Sequence, residues 1–139
     1  AEPEFVADPG LAVLAGGRRL RPVARAGATY RFALPAGVPL WLVSRASFAS
    51  NARPWAEDRR RFGVMVRSLL LREGGEAWPV ALDDARLGTG WWAVESDGIS
   101  RWRWTDGRAS LGVLPAPSEL IVTLGDTVPY PVQAPRRAA

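Results

Sequence analysis

The chain has 139 residues, of which 47% are apolar and 23% charged, the size and composition of one folded domain; its 12 prolines must therefore sit at turns and edges. It contains neither Cys nor His, which excludes disulfides, thiolate nucleophiles, sulfur-ligated metals, the usual zinc ligand and the Ser-His pairing of hydrolases. The net charge is +4 and every basic residue is Arg, but these alternate with Asp and Glu, so neither a nucleic-acid partner nor a polybasic surface is indicated.

Period-two alternation and dense turn signals run through the whole chain, and no window shows a sustained apolar face at helical spacing. Leu11 to Ala15 and Leu20 to Arg25 flank Gly16-Gly17, which reads as a first hairpin because glycine reaches positive φ cheaply. Ala28 to Leu34 sets Tyr30, Phe32 and Leu34 against Thr29, Arg31 and Ala33, then stops at Pro35. Leu40 to Ser47 is the next strand. Phe48 to Asp58, with Asn51, Pro54 and Trp55, is the longest irregular connection, with room for one helical turn at Pro54 to Asp58.

Arg61 to Arg72 is the strongest strand signal; Val64, Val66 and Leu70 are its expected buried positions, and its length suits a bend or bulge. Gly74-Gly75 turns the chain into Ala77 to Leu82, and Asp83 to Gly88 reads as a polar turn. Gly90 to Val94 and Ile99 to Trp104 form a hairpin around Ser96-Asp97-Gly98, and Asp106-Gly107 leads into Arg108 to Val113. The last strand is Leu120 to Leu124, and the Pro- and Arg-rich end from Pro131 is expected to fray. The expectation is one all-β domain, ordered over about residues 9–132: an antiparallel β-sandwich, jelly-roll or Ig-like, of about ten short strands.

Seven tryptophans are present, and four fall in one hairpin as Trp91-Trp92 and Trp102-x-Trp104. On strands, Trp91 and Trp92 point to opposite faces, while Trp102 and Trp104 share one face with Arg101 and Arg103 on the other. At least one indole is then expected in water, where its flat apolar face suits stacking on sugar C–H surfaces or docking a partner. Core filling by the rings, with arginines stacked outside, is the competing arrangement. Candidate acid and base pairs include Asp83 with Asp84, and Glu95 with Asp97 or Asp106, and turn or cap roles explain the aspartates. Arg59-Arg60-Arg61 beside Trp55 and Phe62 has the ingredients of a phosphate and stacking site, though Glu57 and Asp58 balance it.

Three segments, Asp58-Arg59-Arg60-Arg61-Phe62-Gly63-Val64-Met65-Val66, Leu82-Asp83-Asp84 through Gly90-Trp91, and Trp102-Arg103-Trp104-Thr105-Asp106-Gly107-Arg108-Ala109, together resemble a bacterial β-rich accessory domain. That domain is similar to the C-terminal regions of Hint (hedgehog/intein-like) domain proteins of alphaproteobacteria and to β domains beside some glycosyltransferases. The resemblance spans about residues 9–132. Its pattern has a His-containing segment after Gly-Trp, where this chain has Trp92. It implies a non-catalytic accessory domain with a glycan link.

The expected function is thus a non-enzymatic binding module for carbohydrate or a glycosylated surface. Trp91, Trp92, Trp102 and Trp104 supply the aromatic surface, with Trp92 and Trp102 stacking on sugar; Glu95, Arg101, Arg103 and Asp106 are the polar contacts. The alternative is a structural or assembly module meeting a protein partner, a neighbouring domain or a second copy. No cofactor, catalytic residue or metal ligand is assigned, although Ca²⁺ held by backbone carbonyls stays open. No apolar stretch is long enough to span a bilayer, the first residues carry neither an initiating Met nor a leader, so the chain reads as a trimmed or processed piece, and a secreted or cell-surface setting is favoured.

Overall fold

In a computed structural model that describes residues 4–48 and 59–132, the chain forms fifteen strands and, among the described residues, no helix. In order these are β1 (Glu4–Val6), β2 (Ala12–Ala15), β3 (Arg18–Leu20), β4 (Ala24–Ala26), β5 (Thr29–Leu34), β6 (Leu40–Val43), β7 (Ser47–Phe48) and β8 (Arg61–Phe62). There follow β9 (Met65–Glu73), β10 (Glu76–Val80), β11 (Trp91–Ser96), β12 (Arg101–Thr105), β13 (Arg108–Gly112), β14 (Ser118–Leu124) and β15 (Tyr130–Val132). The all-β, antiparallel reading is correct; the strand count is higher than expected because several predicted strands divide and short pairings join distant segments. The turn expected at Pro54 to Asp58, and Trp55 with it, lie outside the described residues.

Two sheets face each other. The larger runs β11-β12-β9-β14-β5-β4, with β10 also paired to β9; the smaller runs β13-β6-β2-β3. Two ribbons, β1-β15 and β7-β8, complete the pairing. Of the end from Pro131, expected to fray, Pro131 and Val132 pair with Tyr130 against Glu4–Val6, and the rest lies outside the described residues.

Strand β5 shows why the sequence chooses this layering. Tyr30, Phe32 and Leu34 are buried and Thr29, Arg31 and Ala33 face outward, so one strand removes three large side chains from water, at about 1.5–3 kcal/mol for each apolar one. Its outward Arg31 forms a two-pronged bond to Glu119 of β14, at 3.0 and 3.1 Å. Opposite, Val13, Leu40, Leu42, Ala109 and Leu111 of the smaller sheet join the same apolar cluster as Phe32, Leu69, Leu71, Leu120 and Val122.

The longest strand is bulged, as its length allowed. Leu124 is registered with Val66 but Thr123 with Ser68, so Arg67 is the extra residue and Arg67 and Ser68 are both exposed. The bulge reverses the alternation. Val64 and Val66 are buried as expected, but Leu69 and Leu71 take the inner positions and Leu70 is only half-buried. On one side β9 pairs first with β12 and then with β10; on the other it carries β14.

Candidate functional site

The β11-β12 hairpin lies at one edge of the larger sheet and closes on Ser96-Asp97-Gly98. Asp97 holds the turn by accepting hydrogen bonds from the amides of Ser100 and Ile99 at 2.7 and 2.9 Å, and these, the Ser100 amide foremost, keep its carboxyl below the usual carboxylate range. Register decides which way each side chain points, because directly opposed residues share a face. Val94, Arg103, Val66 and Leu124 form one row, and Val66 and Leu124 are buried, so this row faces the smaller sheet. Glu95 with Trp102, and Trp104 with Met65, therefore lie on the outer face.

Between Trp91 and Val94 the register slips, which makes Trp92 and Ala93 a second bulge. Trp91 points inward. Only 9% exposed, it donates its indole N–H to the carbonyl of Ser110 on β13 at 2.7 Å and so ties the two sheets together. Trp91 is accordingly withdrawn from the ligand-facing set: its ring is core, and its one polar atom is already satisfied. Trp92 points outward and donates to the carbonyl of Arg61 at 2.8 Å, which anchors β8 beside the hairpin.

Arg103 also departs from its expected role. It shares the face opposite Trp102 and Trp104, but that face is the inner one. Its Nε donates to the carbonyl of Trp92 inside the bulge, its Nη1 to the carbonyl of Leu82 at 2.7 Å, and its guanidinium sits 5.6 Å from the centre of the Trp91 ring. Desolvation pulls its pKa below the ordinary arginine value, yet a guanidinium remains charged at neutral pH. Arg103 is a stitch between the bulge and the turn after β10. Asp106 is likewise committed to structure, accepting from the Arg108 amide at 2.9 Å while its own amide donates to the carbonyl of Gly90. Arg101 is exposed and lies 3.8 Å from Asp83, and Asp84 caps its own turn through the amide of Arg86.

What the fold assembles on the outer face is an aromatic ridge. Phe62 meets Trp104 edge-on at 5.2 Å and Trp92 at 6.3 Å, and all three rings are half-buried. Arg60 lies over Phe62 at 4.9 Å and Trp92 at 5.6 Å. Trp102 stands two residues along β12 from Trp104, about 7 Å away at the usual strand rise, with Arg67 at 5.8 Å from its centre and exposed Glu95 opposite. Phe62, Arg60 and Arg67 were not assigned to this site from sequence. The Arg-Arg-Arg-Phe run marked two of them, but their place beside Trp92 depends on the β7-β8 pairing, and Arg67, outward by alternation after buried Val66, reaches Trp102 only through the β9-β12 pairing.

Two glycines fix the geometry behind the ridge. A Cβ at Gly90, whose φ is +90°, would overlap the carbonyl oxygen of Arg108; a Cβ at Gly63 would meet the Thr105 hydroxyl and the Gly107 backbone. Thr105, almost fully buried, accepts from the amides of Val64 and Gly107, and the Tyr130 hydroxyl donates to the carbonyl of Gly63 at 2.6 Å. No protein-family model, curated protein or solved structure matches the chain.

Proposed function

We propose that the chain is a non-catalytic carbohydrate-recognition module and that the outer face of the β11-β12 hairpin is its binding surface. Trp102 is the principal stacking platform, Trp104 and Trp92 extend it, and Glu95 and Arg67 are the polar groups placed to meet sugar hydroxyls. One observation carries the reading: on β12 two indoles lie on the outer face, each only half-buried, while a guanidinium, Arg103, takes the inner position. Burying a large apolar side chain is worth about 1.5–3 kcal/mol, so folding stability alone favours the reverse order. Rings held outward at that cost, with a carboxylate and a guanidinium beside them, suit a ligand having both apolar C–H faces and hydroxyls. The resemblance to accessory domains beside glycosyltransferases belongs to the same proposal.

The test is an array of immobilised oligosaccharides probed with the intact chain and with Trp102→Ala. Retention of the wild type on at least one glycan, reduced tenfold or more in the variant under conditions where both proteins are folded, supports the assignment. Equal behaviour of the two proteins across the array rejects it.

Assembly is the second reading, and one residue favours it. Ile99, at the tip of the same hairpin, is 97% exposed, an apolar side chain with nothing over it among the described residues. A self-association seen in sedimentation that disappears in Ile99→Asp selects assembly with a second copy; a monomer at all concentrations removes that form of it.

A further inference from the structure

At the far side of the larger sheet from the tryptophans, the chain crosses between sheets at Arg21-Pro22-Val23, from β3 to β4. A groove of about 280 Å³ opens beneath this crossing, and Arg19, Arg21 and Arg25 all line it, together with Asp8 and Tyr30. A second hollow of about 360 Å³ adjoins it, sharing Asp8, Arg25 and Tyr30. Three guanidiniums against one carboxylate leave the first groove with a surplus of two positive charges.

The partners of these groups are unevenly distributed. Asp8 accepts from the Gly10 amide at 2.8 Å and from Arg25 at 3.4 Å; the amide bond chiefly, with Arg25 adding to it, lowers its carboxyl below the ordinary value. Arg25 is held in place over the Tyr30 ring at 4.6 Å, and its Nε donates to the carbonyl of Gly27. Among the described residues Arg19 reaches only the carbonyl of Gly10, at 3.4 Å. Arg21 has no hydrogen bond or ion pair among the described residues, although it faces the groove. A guanidinium has five N–H donors, so most of the donors around this concavity are uncommitted, and Arg25 is already oriented.

We infer that this groove binds the oxyanion of an acidic ligand, a carboxylate or a phosphate, between Arg19, Arg21 and Arg25. The fit is chemical: planar forks of donors in a concave, positively charged setting match the paired oxygens of such groups. Tyr30, buried beneath Arg25, provides a rigid floor. This inference stands independently of the carbohydrate reading, since it uses other residues at the opposite edge of the sheet.

The test is NMR titration of the intact chain at low ionic strength with inorganic phosphate and, separately, with D-glucuronate, using D-glucose as the uncharged control. Saturable shifts at the Gly10 amide and at the Nε–H groups of Arg19, Arg21 and Arg25, with either anion and not with glucose, are expected; the tighter anion identifies the ligand chemistry. Arg21→Gln is expected to weaken that binding about fivefold, the upper end for an exposed charge pair, with no change in melting temperature. Arg72→Gln, outside the groove and outside the proposed sugar-binding face, is expected to leave it unaltered. The inference is overturned by the absence of saturable shifts with both anions, by equal shifts at remote arginines such as Arg72 and Arg108, or by wild-type affinity in Arg21→Gln.

Discussion

Gly90 and Arg103 show how single residues set the two faces of the Trp hairpin. Gly90 passes so close to Arg108 that only a hydrogen fits, and its positive φ suits no L side chain. Gly90→Ala therefore combines backbone strain with a steric overlap that no side-chain movement relieves, and thermal unfolding is expected to show a loss of about 3 kcal/mol or more. Arg103→Met keeps the aliphatic stem but strips the donors from the carbonyls of Trp92 and Leu82. Leaving part-buried carbonyls unpaired costs about 2 kcal/mol, to be read from denaturant midpoints. From sequence, nothing marked Gly90 as a close approach to another strand, and Arg103 looked like one of two equivalent surface arginines. Nothing local distinguishes it from Arg101; the difference comes from the bulge at Trp92-Ala93, whose carbonyl Arg103 satisfies.

At the scale of elements, alternation within a strand was legible and pairing between strands was not. The β5 pattern of Tyr30, Phe32 and Leu34 against Thr29, Arg31 and Ala33 was read correctly because an unbroken period of two leaves only the choice of which face is inner. In β9 the same reasoning placed Val66 correctly and Leu70 incorrectly, since one inserted residue at Arg67 shifts every later position to the other face. The opposite directions of Trp91 and Trp92 were also legible, but not which of them lay inside. That depends on β13, whose Ser110 carbonyl receives the Trp91 indole from across the sandwich. The two indoles should consequently respond differently to truncation. Trp91→Ala is expected to cost about 3–5 kcal/mol in chemical denaturation, as a core ring removed, while Trp102→Ala on the outer face should cost under about 1.5 kcal/mol.

For the whole molecule, ionisation narrows the stable range from both sides. Asp8, Asp97 and Glu119 all titrate below their ordinary values of 3.8, 3.8 and 4.5, through the Gly10 amide, the Ser100 and Ile99 amides, and Arg31 respectively. The folded state thus holds these protons less tightly than the unfolded chain. Their contribution is complete above about pH 4.5 and is lost as pH falls through the lowered folded values. Tyr130 acts in the opposite sense. Burial pushes its phenol from 10.0 up to about 12, so its contribution is complete below pH 10 and disappears as pH rises toward 12. Melting temperature against pH should show a plateau between these limits, and in Tyr130→Phe the alkaline decline should be shallower. With no His to titrate between them, no step is expected near neutrality.

The placement of the indoles underlies both the sandwich and the proposed binding face, and it can be read ring by ring with ¹⁹F NMR of the protein labelled with 5-fluorotryptophan. Single Trp→Phe variants assign the resonances, and the shift of each between H₂O and D₂O reports its contact with solvent. Trp102 and Trp104 are expected to respond and Trp91 to remain unchanged. A responsive Trp91 with silent Trp102 and Trp104 would mean that the hairpin faces the other way, leaving the outer ridge without its stacking surface.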